Sequence, residues 1–259
     1  MKETSKLSNL LASQHNCITI AASDTSGGAG IQRDLKTFHD IGTKGLSVIT
    51  GITAQTDNKV YFAEALDETI VDIQCNTLFK NYNISAVKIG VVFNRTIMDT
   101  ITHYLDNYMV DHVVIDPVLH ASDDYSFLNE KDFIHMRDTF LKKATLITPN
   151  VPELQRLSDM LLRNEKDLIK AAQFLSKKYD AYVFAKGGHL FNNDEVTDYL
   201  VKGDSVERFS YTNIHVSQFH GTGCLISSAI TAYLALRYQK KEAIKKAKDY
   251  FYTTIHIDA

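Results

Sequence analysis

The sequence predicts an α/β fold, a mostly parallel central sheet with helices on both faces, and three observations carry that prediction. Short apolar runs alternate with segments of helical period, the order that successive βα units leave in a chain. The 259 residues are 44% hydrophobic, enough for one large core, so residues 1–259 are read as a single domain. The three prolines, Pro117, Pro149 and Pro152, all fall just after predicted strand ends, the rim where open α/β sheets collect their ligands.

In order, residues 1–16 are polar apart from Leu7, Leu10 and Leu11 and read as a loosely held tail. Six strands follow, at Ile18–Ala22, Leu46–Thr50, Ala86–Ile89, His112–Asp116, Leu146–Thr148 and Tyr182–Ala185. Between them, Val71, Cys75, Leu78 and Tyr82 share one helical face, which makes Cys75 a core residue. Ile97, Ile101 and Leu105 mark another helix, and Lys166 to Lys178 form one more. Val196–Val201 and Arg208–Asn213 read as an antiparallel pair at the sheet edge, joined around Gly203. A last helix runs from Lys241 to Tyr252, with its lysines on a solvated face. Neither a repeat nor a linker interrupts this series.

Composition narrows the function classes. A formal charge of −3 argues against bulk attraction to nucleic acid. Cys17, Cys75 and Cys224 are odd in number, far apart and without metal-ligand spacing, so they suggest neither a disulfide framework nor zinc, and a reducing cytoplasm fits. The apolar runs are too short to span a membrane, and the N-terminus lacks the basic start and apolar run of a signal peptide. The expectation is a soluble cytoplasmic protein without membrane or nucleic-acid partners.

Residues 220–224, His-Gly-Thr-Gly-Cys, precede a stripe of Leu225, Ile226, Ala229, Tyr233 and Leu236 at helical spacing. Gly221, Thr222 and Gly223 would then form an anion cradle at a helix start, where free N–H groups and the helix dipole favour phosphate. In that electropositive spot the thiol of Cys224 is expected to have a lowered pKa and to take a proton from an attacking alcohol. Together these features describe a small-molecule kinase. Taken alone, Gly-x-Gly is often only a tight turn and a cysteine only a small hydrophobe.

Four further segments have the same double reading. After the first strand, Ser23 to Gly30 is a small-residue loop that is neither a Rossmann fingerprint nor a Walker A loop. Its Asp24 either accepts hydrogen bonds from a substrate or caps the following turn. Asp116 closes the fourth strand, as a Mg²⁺ or phosphate-side carboxylate or as a turn residue. Asn150 and Glu153 suit a helix capping box, although Glu153 could instead reach a metal shell. Lys186, with Gly187 and Gly188 after it, could neutralise a transferring phosphoryl group, the glycines admitting a nucleotide closely.

In their order, Asp24 with Gly27–Gly30, Asp116-Pro117, Thr148 to Glu153, Lys186 to His189 and His220 to Cys224 resemble the motifs of the hydroxymethylpyrimidine/phosphomethylpyrimidine kinases, a ribokinase-like family serving thiamine biosynthesis. Asp34-Leu-Lys-Thr-Phe38, Ser47-Val-Ile-Thr50 and Thr53-Ala-Gln55 extend the resemblance, which spans about Ile18 to Tyr250. It implies ATP-dependent phosphorylation of 4-amino-5-hydroxymethyl-2-methylpyrimidine on its alcohol and then of the monophosphate. Asp24 and Gln55 would bind the aminopyrimidine, with Gly28 and Val91 in the same pocket. Asn150, Lys186 and Thr222 would hold ATP, Asp116 and Glu153 would serve Mg²⁺, and Gly221 to Cys224 would form the anion hole with Cys224 as base. The resemblance also implies a homodimer.

The chain departs from the family pattern at Ala22, at Val91, at Gln218-Phe219 and in residues 255–259. Asp123 and Asp124 stand where the family has a Lys-Ser-Gly or similar segment, and near phosphate their charge would oppose binding. A pyridoxal or pyridoxine kinase is the alternative, since Val91 could change ring preference, and a non-catalytic binding protein on the same fold is a third reading.

Overall fold

The computed structural model describes residues 15–121, 123, 125–188, 195–213 and 221–258. Among them, nine strands form one sheet in the order β3-β2-β1-β4-β5-β6-β7-β8-β9. β1 (Asn16–Ser23), β2 (Lys44–Thr56), β4 (Ile84–Ile89), β5 (Val113–Ile115), β6 (Leu146–Ile147) and β7 (Tyr182–Lys186) are parallel. β3 (Lys59–Ala65), β8 (Glu195–Lys202) and β9 (Ser205–Thr212) are antiparallel to β2, β7 and β8 in turn. All six expected parallel strands and the edge pair are present. The pair turns through Gly203, whose φ of +58° suits glycine.

The sheet is covered on both faces, and strand alternation divides the core between them. Ile18 and Ile20 of β1 join one cluster with Val71 and Cys75 of α2 (Glu68–Asn81) and Ile97 and Ile101 of α3 (Arg95–Asn107). Phe133 of α4 (Glu130–Asp138), Leu154 of α5 (Val151–Ser158) and Leu168 of α6 (Glu165–Tyr179) complete that side. On the other face Cys17 packs with Phe38 of α1 (Gly30–Ile41) and Ala232 of α7 (Thr222–Ala235), beside Ile244 of α8 (Lys240–Asp258). Central strands buried on both sides explain why β1 is mostly apolar, with Thr19 a fully buried polar residue within it. No helix of the described residues is long and apolar enough to cross a membrane.

Local chemistry sets the helix starts. Asp67, Asn94, Asn129, Asn150 and Asn164 each accept a first-turn N–H with the side chain, satisfying donors that the helix itself leaves free. Four features differ from the expectations. β3 pairs with β2 through Asp57 and Asn58, residues that favour tight turns. α4 buries only Phe133 and Met136, too short a stripe to stand out by periodicity. Tyr82 caps α2 with its ring under Lys44 Nζ, and Phe79 occupies the core instead.

The last difference concerns the lysines of α8. Lys248 is 2% exposed rather than solvated, and its Nζ donates to Asp198 Oδ2 at 2.7 Å among the rings of Tyr211, Phe251 and Tyr252. Replacing it with methionine leaves a buried carboxylate unpaired, so Lys248→Met should lose about 3–5 kcal/mol of stability in a denaturant titration. A loss below about 1 kcal/mol, the scale of an exposed pair, would contradict that reading.

Candidate active site

The carboxyl ends of β1, β5, β6 and β7 meet the start of α7 at one rim. Asp24 follows β1, Asp116 follows β5, Asn150 lies just beyond β6, and Lys186 ends β7. A cleft of about 210 Å³ is lined there by Asp24, Gln55, Val91, Asp116, Asn150, Glu153, Lys186 and Gly221 to Cys224. A second cavity of about 280 Å³ shares Asn150, Lys186, Thr222 and Gly223 with it and continues to Val196, Phe251 and Tyr252. Two ligands could thus approach one point from opposite sides.

Of the site residues read from the sequence that are described, Gly28 and the glycines after Lys186, Gly187 and Gly188, do not line the first cleft. The Gly28 carbonyl accepts from Arg33 Nε at 3.0 Å and packs against Gly221. Asp24 takes the capping role that was one of its two readings: its carboxylate accepts from Ser26 N, Ser26 Oγ and Ala29 N at 2.7–2.8 Å, which folds the loop into shape. Gln55 is placed by its backbone, which exchanges hydrogen bonds with Thr25 Oγ1. Asp123 lines neither cavity. Its Oδ2 accepts from Val60 N on β3 at 2.9 Å, tying a hairpin that brings His120, Ala121 and Phe127 to the cleft. Residues 1–14, Asp124, His189, Gln218, Phe219 and His220 lie outside the described residues.

Among the described residues, Lys186 is the cation at the meeting of the two cavities. Its Nζ donates to Asp116 Oδ1 at 3.0 Å, and Thr148 Oγ1 at 2.8 Å and Ser227 Oγ at 3.1 Å also donate to that carboxylate. Burial alone would raise the pKa of Asp116, but Lys186 and Lys88 outweigh it and hold the carboxyl below its usual range. For Lys186 burial works downward and is outweighed by Asp116 and Glu153, so the ammonium stays charged. Of the two glycines after it, Gly187 serves packing rather than nucleotide access, since a Cβ there would sit 2.1 Å from the Thr197 carbonyl oxygen.

Asn150 and Glu153 form the full capping box. Asn150 Oδ1 accepts from Glu153 N at 2.9 Å, and Glu153 Oε2 accepts from Asn150 N at 2.8 Å. Burial, helped by Asp116 and opposed by Lys186, pushes the Glu153 carboxyl up to about 7. A buried carboxylate so disfavoured gains from a cation. Among the described residues no cluster of three His, Cys, Asp or Glu could cage a metal alone. One protein carboxylate plus substrate phosphates is the sparse shell that Mg²⁺ accepts, so Glu153 fits the ion, while Asp116 is already engaged by three donors.

Gly221 begins α7 with φ of +79°, and no side chain among the described residues caps the helix, which leaves the first-turn N–H groups toward the cleft. A Cβ on Gly221 would meet the Gly28 carbonyl oxygen at 1.9 Å, so the two glycine loops touch. Gly221→Ala should therefore part the loops and cut turnover by about 10² or more, while circular dichroism stays native. Near-normal turnover would show that this contact does not shape the cradle.

Cys224 lies at the third position of α7, partly open to the cleft. The expected lowering of its pKa is not found. Burial pushes the thiol up, Lys88 and the Gly30 backbone oppose that, and Asp34 and Asp116 add to it. Burial of the thiol outweighs the helix start, and the nearby carboxylates add to it. Sequence reading gave no role of their own to Thr53 and Lys88, which lie on the cleft wall, or to Ser227, which lies against Asp116. For Lys88 a signal existed, a lone charge inside the apolar strand β4.

Two cavities meeting at a buried lysine, a capped helix start and an uncapped one define a small-molecule phosphotransferase on a ribokinase-like fold. Residues 24–259 match the family model of phosphomethylpyrimidine kinase, and the chain belongs to that family. It is 34% identical over 92% of its length to the hydroxymethylpyrimidine/phosphomethylpyrimidine kinase of Staphylococcus aureus, covering 87% of that protein. For the Escherichia coli enzyme of the same name the figures are 33%, 91% and 88%. The phosphomethylpyrimidine kinase structure from Clostridium difficile superposes with a TM-score of 0.81 at 36% identity, over 93% of this chain and 99% of that one. An ADP complex of Bacillus subtilis pyridoxal kinase gives 0.84 at 33%, over 92% and 90%.

Proposed function

We propose that this chain phosphorylates the hydroxymethyl group of 4-amino-5-hydroxymethyl-2-methylpyrimidine with ATP and then phosphorylates the monophosphate. The observation that carries this reading is the meeting of two cavities at Lys186, Asn150, Thr222 and Gly223. The cavity reaching Phe251 and Tyr252 takes the nucleotide, and the cleft bounded by Gln55, Val91 and Phe127 takes the ring. Gln55 can both donate to and accept from an aminopyrimidine, and Asp24 shapes the loop beneath it.

Transfer forms a bond from the alcohol oxygen to the γ-phosphorus as the bond to the β,γ-bridging oxygen breaks. The alcohol proton passes to Cys224 Sγ in its thiolate form, which becomes the thiol. Lys186 and the N–H groups of Thr222, Gly223 and Cys224 stabilise the charge on the transferring oxygens. Asp116 holds Lys186 in place, and Asn150 fixes the turn that presents Glu153. Glu153 would hold Mg²⁺, which supplies charge neutralisation across the phosphates. A reducing cytoplasm agrees with three free cysteines, and a homodimer is the arrangement that the family resemblance implies.

Pyridoxal kinase is the second reading, supported by the likeness to the pyridoxal kinase structures. ADP release from ATP and Mg²⁺ separates the two when the acceptor is the pyrimidine alcohol, its monophosphate, pyridoxal or none. Turnover of both pyrimidines is expected. Turnover of pyridoxal alone would move the assignment, and nucleotide binding without ADP release would mark a binding protein.

A further inference from the structure

Lys88 and Asp34 form an ion pair that the transfer chemistry above does not use, and neither side chain has exposed surface. Lys88 lies inside β4 and Asp34 on α1. Lys88 Nζ donates to both carboxylate oxygens, at 3.0 and 2.8 Å. Thr19 Oγ1 of β1 donates to Asp34 Oδ2 at 2.5 Å, and Ser228 Oγ of α7 makes a short bond to Asp34 Oδ1. The carboxylate thus draws together three elements besides its own.

Such a pair is weak evidence for stability, because desolvating two charges offsets much of their attraction and apolar residues of like volume often serve as well. Two features connect it with Cys224 instead. Ser228 lies about one helical turn after Cys224, so Asp34 anchors the stretch of α7 that carries the thiol. Lys88 also lines the cleft together with Cys224, with its Nζ so close beneath Gly90 that a Cβ there would sit 3.0 Å away. The charged groups acting on the sulfur are Lys88 from β4 and Lys186 from β7, which favour a thiolate, and Asp34 from α1 and Asp116 beyond β5, which oppose it. Of the two cations, Lys186 is paired with Asp116 and Lys88 with Asp34.

We propose that Lys88 and Asp34 are positioning residues for phosphoryl transfer: Lys88 stabilises the thiolate that Cys224 presents to the alcohol, and Asp34 holds both Lys88 and the start of α7. This deepens the reading of Cys224 as base and rests on it. Two variants give opposite signs. Asp34→Asn removes the opposing charge and keeps Lys88, whereas the pair Lys88→Met with Asp34→Leu removes the cation as well.

The readout is alkylation of the full chain by iodoacetamide at about pH 8.5, where the rate follows the thiolate fraction, with the modified residue located by mass spectrometry. Cys17 and Cys75 are fully buried, so the reagent reports Cys224. Asp34→Asn should react about fivefold faster than the parent, and the paired variant about tenfold slower. In the paired variant kcat for the pyrimidine should fall about tenfold with KM within about twofold. A purely structural pair would loosen α7 in either variant and shift both rates the same way, which would overturn the proposal. So would parent-like rates in folded protein. Asp34→Asn leaves Lys88 as a buried ammonium without its carboxylate, so the paired variant, which removes both charges, keeps the alkylation and kcat tests available should Asp34→Asn fail to fold. Altered alkylation with unchanged kcat would break the link to transfer, and undiminished turnover in Cys224→Ala would place that failure in the base role rather than in the pair.

Discussion

Lys186→Met should lower kcat by about 10³ while leaving the chain folded, the largest single loss expected at this site. Two effects combine. The transferring phosphoryl loses the one ammonium among the described residues that both cavities share, and Asp116 is left without its cation, so a carboxylate now faces incoming phosphate. Thr148 and Ser227 still donate to Asp116, which limits the damage to the fold. Removing both charges separates the two effects: Lys186→Met with Asp116→Asn should recover part of nucleotide affinity and little of kcat. Single-turnover and nucleotide-binding measurements on the two variants check this. Equal kcat in Lys186→Met and the parent would remove Lys186 from the transfer step.

Cys224→Ala should cost about 10² in kcat, the lower end for loss of a general base, because phosphoryl transfer proceeds through a loose transition state that asks little of the base. The pH dependence gives the sign. With the thiol pushed up from the ordinary value of 9.0, the fraction able to accept a proton is small near neutrality and grows as pH rises. The kcat of the parent should therefore climb from neutrality toward about pH 9, and the climb should vanish in Cys224→Ala. A flat profile in the parent, or the same slope in the variant, would show that the proton goes elsewhere.

Much of this was legible in the sequence, for reasons that differ by element. Parallel strands buried on both faces are short, mostly apolar runs such as Ile18–Ala22, and their brevity separates them from the buried helix α7. The rim residues Asp24, Asp116, Asn150 and Lys186 were found because strand ends, proline and glycine mark that rim before any contact is known. Side-chain roles were harder. Asn150 and Glu153 offered two readings, and the capping box is made while Glu153 also stays against Lys186. Lys248 looked like one lysine of a polar face, because the Asp198 that buries it is fifty positions away. The pKa of Cys224 was misjudged for a similar reason: burial by other elements pushes the thiol up, and Asp34 and Asp116, far away in sequence, add to it. Periodicity reports which way a residue faces, not what waits there from another element.

The most direct test of the central claim is the mass of the product formed from the pyrimidine alcohol with ATP and Mg²⁺. The structure and the family predict that one phosphoryl group and then a second appear on the pyrimidine, with ADP released in equal amount and both steps slowed together in Lys186→Met. ADP released without any phosphorylated pyrimidine, or a pyrimidine left unchanged while pyridoxal is phosphorylated, would contradict it.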